Sequence, residues 1–67
     1  MKIGALIRKL RIKAELTQEQ LALEIGKEQS SISNWELGVY VPSARSLIAL
    51  SEELKVDLIV LVDAIPR

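Results

Sequence analysis

The sequence predicts an all-α domain of five helices, and three features carry that prediction. Apolar residues recur at helical spacing along the first fourteen positions, a T-x-x-Q capping pattern opens the segment at Thr17, and Gly26, Gly38 and Pro42 punctuate the middle of the chain. In the first segment Ile3, Leu6, Ile7, Leu10 and Ala14 fall on one helix face, with most of the cations on the other. The second helix starts at Thr17, whose hydroxyl can satisfy one free N–H of the first turn while the Gln20 side chain reaches back to another. It runs to about Ile25 with Leu21, Ala22 and Ile25 inward, and Gly26 suits the left-handed stop.

The third helix spans roughly residues 28–37, burying Ile32 and Trp35, and Gly38 ends it. Pro42 biases Val41 towards extended backbone, so "VYVPS" connects to a fourth helix that Ser43 can cap and whose Leu47, Leu50, Ser51 and Leu54 share a face. Asp57 can cap a short fifth helix in "DLIVLVDA", closed off by Pro66. The unbroken apolar run from Leu58 to Val62 suits a buried strand as well, so helix and strand both stay open there.

A chain of 67 residues supports one small domain, 1–67, which buries only about 60% of its unfolded surface and must pack efficiently or oligomerise. It has no cysteine and no histidine, which removes disulfides, thiolate or imidazole metal ligands, thiol nucleophiles and a histidine base. An enzyme would have to work with Asp, Glu, Lys, Ser or Tyr, and no carboxylate pair or activated nucleophile stands out. No cofactor, metal site or small-molecule ligand is expected. Charged residues interrupt the N-terminal segment, and no stretch has the length of a membrane span, so the expected location is the cytoplasm and no membrane partner is expected. Formal charge is zero but uneven: Lys2, Arg8, Lys9, Arg11 and Lys13 against Glu15 leave the first 15 residues at +4.

Residues 26–38, "GKEQSSISNWELG", place one glutamine, one asparagine and three serines around Ile32 and Trp35. A helix ending on glycine, a turn of about three residues and a second short helix, polar outside and apolar inside, form a helix-turn-helix over about 17–37. Short side chains let a helix approach base edges, and Gln or Asn can bond N6 and N7 of adenine together.

The stretch "LTQEQLALEIGKEQSSISNWELG", with a proline and another helix after it, resembles the phage Cro/repressor, or XRE-type, helix-turn-helix family over nearly the whole chain. The resemblance implies a lambda-repressor-like five-helix DNA-binding domain, homodimeric on a two-fold symmetric double-stranded DNA operator. It implies that Gln18 bonds a phosphate, that Gln29, Ser30 and Asn34 read bases, and that Lys27 and Ser33 lie near the DNA backbone. Arg11 and Glu36 match a family ion pair joining the first helix to the end of the third, a structural role. Gln29, Ser30 and Asn34 have a plainer alternative, the solvated face of an ordinary helix, and Gln18 has another, a first-turn polar residue that satisfies the helix terminus. Arg8, Lys9 and Lys13 are candidates for phosphate contacts on the same terms. Trp35, turned inward with Ile32, is expected in the core.

Three departures bear on function. After the third helix this chain has "LGVYVP" where relatives of this type often carry a basic or polar phosphate-gripping loop; Tyr40 alone offers a hydroxyl to a phosphate, or packs on the core. Glu15 stands where the family favours glycine or asparagine, and costs on the order of 1 kcal/mol if left-handed. Leu23 faces solvent by its spacing, and Ile59, Val60, Val62 and Ile65 exceed what one face of a short helix can bury. The segment about 56–65 is thus a candidate dimer interface, with core filling as its alternative. The expected function is a sequence-specific transcriptional regulator, with repression by occlusion needing the fewest further contacts. The alternative is an antitoxin-like or adaptor module that docks on protein through the apolar C-terminal surface.

Overall fold

Local signals set the starts of the second and fourth helices and the ends of the second and third. In the computed structural model, which describes residues 2–66, the helices are α1 (Ile3–Lys13), α2 (Gln18–Ile25), α3 (Gln29–Leu37), α4 (Ala44–Leu54) and α5 (Leu58–Asp63). Both halves of the capping box form at α2: the Gln20 N–H donates to Thr17 Oγ1 at 3.0 Å, and the Thr17 N–H donates to Gln20 Oε1 at 2.8 Å. Gly26 and Gly38 end α2 and α3 in the left-handed region, with φ of 70° and 81°. Ser43 caps α4 by accepting from the Ser46 N–H and donating to Ser46 Oγ, which leaves buried Ser46 partnered.

Three local expectations need correction. Ala14 is exposed, because α1 stops at Lys13 and the chain turns through Glu15, at φ 60°. Leu16 packs against the core in its place. Glu28 is the N-cap of α3 and not its first residue. Asp57 precedes α5, but its side chain makes no capping bond; its backbone carbonyl accepts from the Val60 N–H at 3.0 Å.

The segment from Leu58 is helical. Among the described residues there is no strand for it to pair with, so an extended run would leave its backbone groups without partners. As a helix it satisfies them internally and turns Leu61 into the core, with Ala64 next to it.

Ile3 and Ile7 of α1, Leu21 and Ala22 of α2, Ile32 and Trp35 of α3, Leu47, Leu50 and Leu54 of α4, and Leu61 make one core. α3 lies between α1 and α2, while α4 packs on α2 and α5, and α5 returns to α1. Gly4 permits the α1–α3 contact. A Cβ there would collide with the Trp35 carbonyl oxygen and stand 3.0 Å from that of Glu36, so the two backbones approach as only glycine allows. Among the described residues no helix is long and apolar enough to cross a membrane.

Candidate nucleic-acid interface

α2 and α3 are joined by Gly26, Lys27 and Glu28. The Lys27 N–H returns to the Ala22 carbonyl at 2.8 Å, closing the end of α2 and fixing the direction in which the chain leaves it. Ile32 and Trp35 then hold α3 from behind, both buried. With those two inward, the opposite face carries Gln29 and Ser30, which are exposed, and Ser33 and Asn34, which are half-buried. Spacings of four residues from Gln29 to Ser33 and from Ser30 to Asn34 align them along one side of the helix.

A hydrogen-bonded chain leads to this face from the interior. Arg11 Nε donates to Glu36 Oε2 at 2.7 Å, and Arg11 Nη2 to Glu36 Oε1 at 3.2 Å. Arg11 Nη1 donates to the Leu16 carbonyl at 2.8 Å, so the same guanidinium also fixes the turn between α1 and α2. The pair is largely shielded, with 12% of the Arg11 side chain and 4% of the Glu36 side chain exposed. The hydrogen bond to Glu36 holds the Arg11 guanidinium above its ordinary pKa, against the opposing effect of burial.

Glu36 Oε1 also accepts from Gln18 Nε2 at 3.1 Å, and Gln18 Oε1 accepts from Gln29 Nε2 at 3.5 Å. A carboxylate only accepts, so Gln18 must turn its NH2 towards Glu36 and its oxygen towards α3. Gln29 therefore spends one N–H on Gln18 and keeps its Oε1 and second N–H for outside partners. Spacing along the chain gave no sign of the Gln18–Glu36 bond, because 18 residues separate its partners.

The remaining candidates are placed less uniformly. Lys27 is exposed beside the start of α3, and Tyr40 is exposed beyond its end, off the core. The half-buried Asn34 receives the Val39 N–H on its backbone carbonyl at 2.9 Å. Arg8 and Lys9 are exposed on α1. Lys13 lines a cleft with Leu16, Glu53 and Lys55, to which neither α2 nor α3 contributes, so the structure does not bring it to the α3 face. In α5, Ile59, Val60 and Val62 are exposed, whereas Ile65 packs partly against the chain's own core. Leu23 is 79% exposed.

Two helices joined by a three-residue turn, the second anchored by apolar residues and presenting short polar ones, define the class as helix-turn-helix. The profile of a family described as a helix-turn-helix domain matches residues 4–63. The chain belongs to that family, in its Cro/repressor or XRE branch. It is similar to the P22 c2 repressor protein, seen in complex with synthetic operator 9T, with 30% identity and a TM-score of 0.90 over 96% of this chain and 97% of that one. It is also similar to Bacillus thuringiensis PlcR, in complex with the peptide PapR7 and DNA, with 32% identity and a TM-score of 0.90 over 98% of this chain but only 23% of that one. SinR, a master regulator for biofilm formation in complex with DNA, shares 29% identity and a TM-score of 0.85 over 91% of this chain and 98% of its own. No curated protein matches the chain in sequence.

Proposed function

We propose that the chain is a sequence-specific, DNA-binding transcriptional regulator that represses by occluding a palindromic operator as a homodimer. The observation that carries this reading is the amide of Gln29, exposed at the start of α3 and oriented from behind by Gln18 and Glu36. With α3 in the major groove, the free Oε1 and N–H of Gln29 match N6 and N7 of adenine, a bidentate pairing that discriminates by about 1–3 kcal/mol. Ser30 and Asn34 extend the reading along the helix. Lys27, Ser33, Tyr40, Arg8 and Lys9 supply phosphate contacts and with them the salt-dependent part of affinity. Gln18 uses its remaining N–H on a phosphate, and Lys13 contributes by long-range charge only.

Support comes from the P22 c2 repressor and SinR, which are seen in complex with DNA and match this fold over nearly their whole chains. The adaptor reading retains one favouring observation, the exposed apolar residues of α5 and of the loop after α3. A band shift at low salt with sequence-selected and scrambled duplexes separates the two. The regulator retains the selected duplex preferentially, and a Gln29→Ala, Asn34→Ala double variant loses that preference. Equal or absent retention of both duplexes rejects it.

A further inference from the structure

We infer that Arg45 and Lys27 form a two-cation clamp for one DNA phosphate at the leading edge of α3. The inference rests on the DNA-binding function proposed for the chain. Arg45 lies in the first turn of α4 and lines one cleft with Lys27, Gly26 and Ser43. No carboxylate lines that cleft. Both cations are exposed, and among the described residues the one ion pair is Arg11–Glu36, so neither is neutralised by a carboxylate.

Arg45 is electrostatically misplaced for the fold alone. The N-terminal end of a helix is its positive end, where a carboxylate stabilises and a cation opposes the backbone dipoles. The first turn of α4 contains no acidic residue and does contain this arginine. An anion seated between Arg45 and Lys27 removes that conflict.

Position identifies the anion. Lys27 is two residues before Gln29, so the cleft adjoins the end of α3 that carries the base-reading amide. A helix in the major groove is flanked by phosphates, and the far end of α3 and the loop after it have exposed Leu37, Val39 and Val41 in place of cations. The grip on the DNA backbone is accordingly concentrated at the near end. A planar guanidinium that bonds two phosphate oxygens, joined by the point charge of a lysine, suits this task.

The test is the salt dependence of binding to a selected duplex for the unmodified chain, Arg45→Lys and Arg45→Glu, with thermal unfolding of each. Removing one phosphate contact lowers the slope of log K against log salt by about 0.9, so affinity falls about 3.5-fold less between 50 and 200 mM salt. Arg45→Glu is expected to show this shallower slope and weaker binding with an unchanged preferred sequence. Its Tm should equal or exceed that of the unmodified chain, because the new carboxylate complements the helix end. Arg45→Lys keeps the slope. An unaltered slope in Arg45→Glu, with selective binding intact, overturns the clamp alone; failure of the unmodified chain to select any duplex overturns both the clamp and the DNA-binding function.

Discussion

Glu36 joins the stability of the fold to the presentation of the polar face of α3. One carboxylate accepts from two Arg11 nitrogens and from Gln18, and the orientation of Gln18 passes to Gln29. Losing either member of the shielded pair strands the other charge away from water. Glu36→Ala and Arg11→Ala are each expected to destabilise by about 3 kcal/mol, read as a lower urea midpoint. The apolar double replacement Arg11→Met, Glu36→Leu should lose less than either single variant, because no charge is left uncompensated. A double variant weaker than both singles would show that the pair contributes by attraction and not by avoided desolvation. Glu15 and Lys55, at φ 60° and 55°, each hold a left-handed backbone in a residue with a Cβ.

The helices were legible in the sequence wherever their determinants are local. Thr17 and Gln20 are three residues apart and cap each other, Gly26 and Gly38 stop the helices they terminate, and Ser43 caps α4. Errors arose where the deciding interaction is not local. Periodicity extended α1 to Ala14, whereas the chain turns away at Glu15 so that Leu16 can reach the core and its carbonyl can meet Arg11. The apolar run of α5 satisfies a period of 2 as readily as one of 3.6, and only the absence of a pairing strand among the described residues decides between them. On the polar face of α3 the residue types were legible but the Gln18–Glu36 link was not, since it depends on how α2 and α3 cross. Gly4 was silent for the same reason. Gly4→Ala would force α1 away from the Trp35 and Glu36 carbonyls and is expected to destabilise by about 1–3 kcal/mol, measured by chemical denaturation. Unchanged stability would mean that α1 and α3 do not approach this closely in solution.

At the scale of the molecule, the proposed homodimer would draw on the exposed apolar residues of α5. Ile59 is 59% exposed, and Val60 and Val62 lie beside it with Leu58. Removing such surface from water contributes roughly 25 cal/mol per Å², and two copies related by a two-fold axis would bury it twice. A Val60→Asp variant is therefore expected to keep its helical spectrum and lose self-association in analytical ultracentrifugation. Binding to a palindromic duplex should weaken at least about tenfold while half-site preference survives. A variant that still dimerises would move the contact elsewhere on the surface. In the proposed homodimer Ile65, already packed on its own core, would align α5 and add little to the contact.

The presentation of Gln29 to bases is tested most directly by selecting duplexes from a random pool with the unmodified chain and with Gln29→Ala in parallel. The unmodified chain should enrich a two-fold symmetric site with half-sites about 10–10.5 base pairs apart and a fixed adenine in each. Gln29→Ala should enrich the same spacing with that adenine lost. The same adenine enriched by both proteins, or no sequence enriched by the unmodified chain, would contradict the account.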